Sequence, residues 1–391
     1  MKLPRLRTSP VHVITTLAVH LHTFKVNSRW RFKFTVRLPL YKTELSARAQ
    51  YSSSCPTLDF TMAADSIVVS ILLVFFAASD EAFGADPLES RRADPDLVSI
   101  SGFSSGGSFA VQYHVAHSQS IMGAGVLAGA PYHSSGTILF NIPGLQHDTQ
   151  TFFQANLVDD PSNMATDRVY LFHGSHDLMV PEYAMTSLRE YYKGFVDNNN
   201  IKEVLDVPAF HGFPTADYGG ECGHLAAPLY LNNCGYNAAF EVLNHIYGGQ
   251  QPLTKPDAFS HVAAHGEFKA FDQGEFTRWL GTLDHGFDSQ GYVYIPSGCA
   301  SSVSDCKLHV HFHGCFMGSS FVGDEFARKS GYNEVGELND IIILYPQIKG
   351  GLFAVDASGC WDWTAYTNEN YANKNGVQIT AIHRMIQRLL E

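Results

Sequence analysis

Three side chains in this sequence have the types, and the order along the chain, of a nucleophilic catalytic site. The first is Ser104, within the pentapeptide GFSSG at 102–106, which follows an apolar, β-branched run and precedes a small-residue helical pattern. A strand, a sharp turn and a helix are the setting in which the serine of a G-x-S-x-G elbow exposes its Oγ. Glycine fits such a turn because it has no side chain to obstruct the close approach of the backbone. The pattern predicts that Ser104 is a nucleophile.

An acid and a histidine follow the serine, each directly after a predicted strand. Asp177 comes after the apolar run at 168–173, and His211 comes after the strand predicted at 202–207. A histidine can take the serine proton while an aspartate holds the imidazole in the required tautomer. Asp177 also fits a turn or helix-cap role, which is how many aspartates after strands are used. The order serine, acid, histidine is that of the α/β-hydrolases and favours the triad Ser104, Asp177 and His211.

The predicted elements place these three residues at strand ends, but in an unusual chain order. Alternating and apolar patterns predict strands at 97–100, 122–130, 168–173, 202–207, 291–296, 307–312 and 340–346, and helices at 183–195, 325–338 and 377–390. An α/β-hydrolase has several strands and an oxyanion loop before its elbow, whereas here such strands come after the triad. We therefore predict an α/β protein with a circularly permuted α/β-hydrolase fold, a single catalytic domain and a mostly parallel central sheet.

The N-terminal region differs in composition from the rest of the chain. Residues 1–61 hold ten Lys or Arg against two acids, whereas residues 85–391 hold sixteen against thirty-three. The apolar run at 66–79 has the length of a signal-peptide core and is short for a membrane span. We predict a basic leader at 1–61, which is either an organellar transit segment or a disordered leader and is absent from the mature protein. Met62 would then be the functional start, with a signal peptide at 62–84 and a catalytic domain at 85–391.

Beyond Cys55 in the leader the chain has six cysteines, an even number that fits a secreted disulfide protein. Six cysteines allow fifteen pairings. The alternative is six reduced thiols in a cytosolic protein. Short spacings favour the pairs Cys222 with Cys234 and Cys299 with Cys306, which leaves Cys315 with Cys360.

Two further clusters have residue types that suggest chemistry. His309, His311 and His313 alternate as metal ligands on a strand can, but no acid or cysteine accompanies them and the His-Gly turn explains His313. We expect no metal site. Trp361 and Trp363 are each typical of a protein core; a disulfide from Cys360 to Cys315 would instead bring them to the wall of a substrate crevice.

These motifs together resemble the secreted polyhydroxybutyrate (PHB) depolymerases, in particular the single-domain, circularly permuted fungal kind. The resemblance runs from about Leu97 to the C-terminus and is carried by SGFSSGG, GSHD, HGFPT, IPSGCASSVSDCKLHV, FHGC, GYNE, IIILYPQ and GCWDW. It implies the same triad, oxyanion donors from the backbone N–H groups of Ser105 and Cys315, and the three disulfides named above. It also implies that Trp363 lines the substrate crevice. The leader has no counterpart in that family.

The function predicted from these observations is that of a secreted serine esterase acting on poly(3-hydroxybutyrate) or its oligomers, without a metal or organic cofactor. The alternatives are an esterase on another secreted substrate, such as feruloyl or acetyl esters of polysaccharide, and a non-catalytic binding protein of the same fold. Nucleic acid is disfavoured as a partner because the region after the leader is acidic. We expect a monomer with no stable membrane insertion.

Overall fold

The structure is a computed structural model of the chain. It describes residues 85–136, 139–249, 251–257, 265–280, 285–300, 306–352 and 354–391, together with the backbone of two strands nearer the N-terminus. Those two strands, β1 (Ala18–Val26) and β2 (Arg29–Arg37), pair antiparallel and belong to a separate unit, Met1–Asp80. They lie within the leader that the sequence analysis excluded from the fold. The signal peptide predicted at 62–84 lies outside the described residues.

The second unit, Glu81–Glu391, is built on an eight-stranded sheet with helices in its crossovers. In chain order its larger elements are β3 (Val98–Phe103), α1 (Ser105–Ala116), β4 (Gly123–Leu127), α2 (Ile142–Gln154), β5 (Arg168–Phe172), α3 (Glu182–Tyr192), β6 (Ile201–Val204), β7 (Phe213–Thr215), β8 (Gly220–Glu221), β9 (Leu231–Asn233), α4 (Ala238–Tyr247), β10 (Glu267–Asp272), α5 (Gly274–Thr277), β11 (Gln290–Ile295), β12 (Lys307–Phe312), α6 (Ser319–Val322), α7 (Glu325–Lys329), α8 (Tyr332–Asn339), β13 (Ile341–Tyr345) and α9 (Val377–Leu390). Strands β7, β9 and β8 form a small separate sheet.

The strand order in the large sheet is β10-β11-β13-β12-β3-β4-β5-β6. Neighbours from β13 through to β6 pair in parallel, and β11 is antiparallel to both of its neighbours. The strands that come last in the chain therefore complete one half of the sheet, beside the strand that precedes Ser104. This arrangement is an α/β-hydrolase fold with a mainly parallel central sheet, as the sequence predicted.

Backbone hydrogen bonds join the first described segment of this unit to its last helix. The last turn of α9 accepts hydrogen bonds at the Leu389 carbonyl from the N–H groups of Arg91 and Ala93, at 3.3 and 3.0 Å. The segment after Ala93 leads directly into β3. The last helix of the unit therefore lies beside the segment that leads into the central strand β3.

Both faces of the sheet are buried, which explains the continuous apolar runs in its strands. In β13, Ile342 and Leu344 face one hydrophobic core with α1 and α9, while Ile341, Ile343 and Tyr345 face a second core with α4 and α8. The alternation follows from the period of two in a strand. Among the described residues no helix is long and apolar enough to cross a membrane.

The structure corrects the sequence analysis in several elements. The helix predicted at 325–338 is two helices, α7 and α8, separated at Gly331, whose φ of 90° is accessible mainly to glycine. Strand β10 and helices α2 and α4 were not predicted. Strand β10 carries charged residues at Glu267, Lys269 and Asp272 because it is an edge strand.

Candidate active site

The turn between β3 and α1 holds Ser104 in a conformation with φ 56° and ψ −121°. A positive φ is uncommon for a residue with a side chain and marks a strained backbone. The Ser104 N–H donates to the Leu127 carbonyl at 2.8 Å, and the Ser104 carbonyl accepts from the Ser108 N–H at 3.0 Å. These bonds to β4 and to the first turn of α1 hold the strained residue in place.

The two glycines of the elbow are required by close backbone contacts. A Cβ on Gly102 would lie 2.1 Å from the Gly106 carbonyl oxygen, and a Cβ on Gly106 would lie 2.2 Å from the Phe312 carbonyl oxygen. Both distances are far below van der Waals contact with backbone atoms that cannot move aside. The elbow can therefore pack against the end of β12, which brings the loop after β12 next to Ser104.

Ser104, His211 and Asp177 form one continuous hydrogen-bonded chain. Ser104 Oγ lies 3.1 Å from His211 Nε2, and His211 Nδ1 lies 2.7 Å from Asp177 Oδ2. The other carboxylate oxygen, Asp177 Oδ1, accepts from the N–H groups of Met179 and Val180 at 2.8 and 3.0 Å. Asp177 and His211 are both buried. The three side chains predicted from separate strand ends thus meet in the geometry of a serine hydrolase triad.

Backbone hydrogen bonds between two loops align the acid with the histidine. The N–H groups of Ser175 and His176 donate to the carbonyls of Val207 and Ala209, at 2.8 and 3.2 Å. Gly174 permits this contact, because a Cβ there would lie 2.2 Å from the Ala209 carbonyl oxygen. The loop after β5 therefore carries Asp177 directly alongside the segment that carries His211.

His211 is supported on two further sides. The Phe103 ring lies 4.9 Å from the His211 ring, between centroids. The Phe210 N–H donates to the Cys222 carbonyl at 2.8 Å, and a disulfide joins Cys222 to Cys234. These contacts restrict the ring to the position in which Nε2 faces Ser104.

Two backbone N–H groups beside Ser104 have no acceptor among the described residues. Ser105 is the first residue of α1, whose opening N–H groups lack intrahelical partners. Cys315 follows Gly314, where a Cβ would lie only 3.2 Å from Ser104 Cβ. Ser105 and Cys315 are the two residues whose N–H groups the resemblance predicts as oxyanion donors, and that role stays a prediction.

The loop that contains Cys315 is tied to the segment at 356–361. A disulfide joins Cys315 to Cys360, and the Phe316 N–H donates to the Ser358 carbonyl at 2.8 Å. Asp356 accepts from the Ser358 and Cys360 N–H groups, and Ser105 Oγ accepts from the Trp361 N–H at 3.3 Å. A disulfide also joins Cys299 to Cys306, so the three pairs are those that the sequence predicted.

The structure separates the two tryptophans that the sequence grouped as a substrate-binding wall. Trp361 is 0% exposed; its ring stacks on Phe109 at 4.6 Å and meets Phe312 edge-on at 4.9 Å. The prediction that Trp361 contacts substrate is wrong, because this side chain is a core residue under the elbow helix. Trp363 is half-buried.

The alternating histidines of β12 have hydrogen-bond partners within the protein. His309 Nδ1 lies 2.6 Å from Ser99 Oγ and its Nε2 lies 2.7 Å from Ser101 Oγ, while His311 Nδ1 lies 2.8 Å from the same Ser101 Oγ. Burial lowers the pKa of His309 to about 3 and that of His311 well below its ordinary value. Within the described residues, no group of three His, Cys, Asp or Glu side chains is arranged to hold a metal.

Apolar side chains exposed beside the triad were missed by the sequence analysis. Leu178 and Met179, directly after Asp177, are 86% and 61% exposed. Phe316, directly after Cys315, is also exposed and meets the exposed Phe321 ring at 5.3 Å. The available signal was an apolar pair in a tight loop directly after a candidate catalytic acid. We call Leu178, Met179, Phe316 and Phe321 the apolar rim.

Comparison with known proteins places the chain in a family. No family model matches it. A polyhydroxybutyrate depolymerase of Talaromyces funiculosus is 30% identical over 349 residues, which cover 83% of this chain and 98% of that protein. The chain belongs to the polyhydroxybutyrate depolymerases. A poly(3-hydroxybutyrate) depolymerase of Delftia acidovorans is 34% identical over 320 residues, 77% of this chain, but the match spans only 61% of that longer relative.

Solved structures of PHB depolymerases have the same fold. The crystal structure of PHB depolymerase from Penicillium funiculosum matches with a TM-score of 0.69 at 30% identity, covering 78% of this chain and 98% of that one. A serine-to-alanine PHB depolymerase complexed with an R3HB trimer matches with the same values. The uncovered fifth of this chain has no counterpart in those structures.

Proposed function

We propose that this protein is a serine esterase that hydrolyses poly(3-hydroxybutyrate) or its oligomers. The observation that carries the proposal is the continuous hydrogen-bonded chain from Ser104 Oγ through His211 to Asp177. It is supported by the PHB depolymerases to which the chain is similar over most of its length.

In the first half of the reaction, Ser104 Oγ attacks the ester carbonyl while His211 Nε2 takes its proton. The His211 Nδ1–H group donates a hydrogen bond to Asp177 Oδ2, which orients the ring and stabilises the imidazolium without taking the proton. The tetrahedral intermediate collapses when the ester C–O bond breaks, and His211 returns the proton to the departing alcohol. The acyl group remains on Ser104.

In the second half, water replaces the alcohol and the same groups act again. His211 takes a proton from the attacking water, and the second tetrahedral intermediate breaks to release a carboxylic acid and restore the Ser104 hydroxyl. In both intermediates the negative oxygen is bound by the N–H groups of Ser105 and Cys315. The chain supplies the nucleophile, the base and the oxyanion donors, so the reaction needs no metal or organic cofactor.

The apolar rim and Trp363 are the surfaces that we assign to the polymer. A solid polyester presents a large, weakly polar surface, and apolar side chains exposed around a site favour contact with such a surface. Trp363 would lie along the ester chain beside the scissile bond, a role proposed from family resemblance and from its half-buried side chain. The enzyme would then adsorb through its catalytic face.

We also propose that the protein is secreted and acts outside the cell as a monomer. Three disulfide bonds support an oxidising destination. A signal peptide at 62–84 would direct the export and would be removed with the leader, leaving a catalytic domain at 85–391.

The proposal is tested by offering three ester classes to the purified protein and to a Ser104→Ala variant. The substrates are a poly(3-hydroxybutyrate) film, p-nitrophenyl butyrate and a feruloylated sugar. We expect hydrolysis of the film and the short ester, and a loss of several orders of magnitude in both for Ser104→Ala with little change in melting temperature. A preference for the feruloylated sugar would refute the assignment of poly(3-hydroxybutyrate) as the substrate. An active Ser104→Ala variant would overturn the mechanism.

A further inference from the structure

The ring of His313 is held between the loop that follows β12 and the segment that follows β13. His313 Nδ1 lies 2.8 Å from the Gly314 carbonyl oxygen, and His313 Nε2 lies 3.1 Å from the Ile348 nitrogen. The carbonyl can only accept and the amide N–H can only donate. Both bonds are made only by the neutral ring with its proton on Nδ1 and a lone pair on Nε2. The structure therefore defines the tautomer of a side chain that is 1% exposed.

The carbonyl that accepts from His313 belongs to the same planar peptide group as the Cys315 N–H. Because the peptide is planar and trans, fixing the direction of the Gly314 carbonyl fixes the opposite direction of the Cys315 N–H. A hydrogen bond to the carbonyl oxygen also polarises the group and strengthens its N–H as a donor. The same carbonyl accepts a longer bond, 3.3 Å, from the Met317 N–H. Of the two hydrogen bonds that the Gly314 carbonyl accepts, the one from His313 is therefore the shorter.

We propose that His313 is a positioning residue that aims the Cys315 N–H at the oxyanion formed above Ser104. The inference rests on the proposed function, since the Cys315 N–H has this role only if Ser104 is the nucleophile. His313 touches neither the substrate nor the reacting atoms. It acts through the Gly314–Cys315 peptide.

The electrostatics of the ring match this role. Burial lowers the pKa of His313 to about 4, although the bond to the Gly314 carbonyl and the charge of Asp288 act in the opposite direction. The ring stays neutral near pH 7, so Nε2 keeps the lone pair that accepts from Ile348. A charged ring would direct an N–H at the Ile348 N–H and break that contact.

The packing around His313 leaves the ring little freedom to move. A Cβ on Gly318 would lie 2.8 Å from the Ile348 carbonyl oxygen, 2.9 Å from His313 Cε1 and 3.0 Å from His313 Nε2, so the backbone of Gly318 is in close contact with both the ring and the backbone of Ile348. The buried Trp361 ring lies 5.9 Å away, between centroids. The ring is therefore a fixed support rather than a mobile side chain.

Two substitutions separate the two hydrogen bonds of His313. In His313→Asn the side-chain nitrogen can occupy the place of Nδ1 and still donate to the Gly314 carbonyl, while the bond to Ile348 is lost. In His313→Gln the side-chain oxygen can reach the place of Nε2 and still accept from Ile348, while the bond to Gly314 is lost. The new side chain is uncharged in both variants, and each variant loses one buried hydrogen bond.

We expect kcat for p-nitrophenyl butyrate to fall about 10- to 100-fold in His313→Gln and only a few-fold in His313→Asn, with KM unchanged in both. Loss of a complete oxyanion donor typically costs about 10²- to 10³-fold, and a misdirected donor should cost less. The rate of covalent reaction with a p-nitrophenyl phosphonate, which forms a charged tetrahedral adduct, should fall in parallel with kcat. Equal kcat in the two variants, or losses that follow their melting temperatures, would refute the positioning role.

A third variant and the wild-type protein complete the test. Gly318→Ala leaves His313 itself unchanged, but its methyl group would push apart the His313 ring and the Ile348 backbone that donates to it. We expect the same loss of kcat at constant KM, and wild-type kcat in this variant would count against the proposal. Mass spectrometry of the phosphonate-treated wild type tests the proposed function separately. Labelling of Ser104 without a difference between the Asn and Gln variants would refute only the role of His313, whereas no labelling of Ser104 would refute the proposed function.

Discussion

Asp177 and Asp167 form a matched pair for testing the role of the catalytic acid. Asp177 Oδ2 lies 2.7 Å from His211 Nδ1, and Asp167 Oδ2 lies 3.0 Å from His114 Nε2; all four side chains are less than a tenth exposed. Only the first pair continues to a serine hydroxyl. Replacing each aspartate by asparagine therefore alters the same kind of Asp–His hydrogen bond in the same kind of environment.

The structure determines how the amide of Asp177→Asn would be oriented. The N–H groups of Met179 and Val180 require an oxygen at the Oδ1 position, so the new amide nitrogen faces His211. His211 Nδ1 must then accept instead of donate, which places the ring proton on Nε2 and prevents it from taking the Ser104 proton. A wrong tautomer of this kind costs about 10⁴-fold in kcat, or about 5.5 kcal/mol of barrier.

The assay compares kcat for p-nitrophenyl butyrate with the free energy of unfolding in urea for both variants. Each should lose about 1–3 kcal/mol of stability, the usual consequence of disrupting a buried hydrogen bond to a charged group. Only Asp177→Asn should lose catalysis. The reasoning fails if Asp177→Asn keeps more than a tenth of the wild-type kcat, or if Asp167→Asn loses as much activity as Asp177→Asn.

Three other predictions concern the polymer, acid stability and processing. Trp363→Ala should slow film hydrolysis by about 10- to 100-fold, equivalent to about 1–3 kcal/mol, but leave p-nitrophenyl butyrate hydrolysis nearly unchanged. The control Trp361→Ala should lower the melting temperature and both activities. If Trp363→Ala reduced both activities equally, Trp363 would be a core residue. Burial lowers the pKa values of three histidines of β12 and its loop: His309, His311 and His313. Their folded-state pKa values lie below the unfolded value of about 6.5. The unfolded chain therefore binds more protons than the folded chain when the pH falls below that value. The contribution of these histidines to stability is complete above about pH 6.5 and is lost as the pH falls towards 4. The free energy of unfolding should therefore decrease as the pH falls through that window, which urea unfolding at pH 7, 6 and 5 measures. A free energy of unfolding independent of pH would contradict the prediction. N-terminal sequencing of the secreted protein should give a start between residues 80 and 86, and a mature protein that starts at Met1 would exclude the signal peptide.

The sequence predicted the central strands and the triad because both carry local signals. The apolar runs of β3, β12 and β13 are continuous since these strands are buried on both faces, and each triad residue follows such a run. By contrast, β10 lies at the sheet edge, where charged residues interrupt the pattern. An element with one solvated side is harder to recognise because the apolar pattern of a strand depends on its burial and not on intrinsic β-propensity.

Contacts between distant segments could not be predicted in the same way. Trp361 and Trp363 are two residues apart and chemically identical, and only packing, such as that of Trp361 on Phe109, distinguishes the buried ring from the half-buried one. The second partner of His313 is the Ile348 backbone N–H, 35 residues later in the chain. A backbone donor has no residue signature, so a histidine that supports a neighbouring peptide looks in the sequence like any other buried histidine.

The position of β3 in the sheet imposes an order on biosynthesis. The partner of β3 on one side, β4, follows within about 25 residues. Its partner on the other side is β12, in which Leu308 pairs with Val98. Strand β12 therefore leaves the ribosome some two hundred residues after β3. Until then the unpaired N–H and C=O groups on that edge of β3, the strand that leads to Ser104, are open to strand pairing with other chains. A nascent chain therefore has Ser104 early but lacks the loop with Cys315, the proposed oxyanion donor, until β12 docks. Premature termination should yield inactive, aggregation-prone fragments.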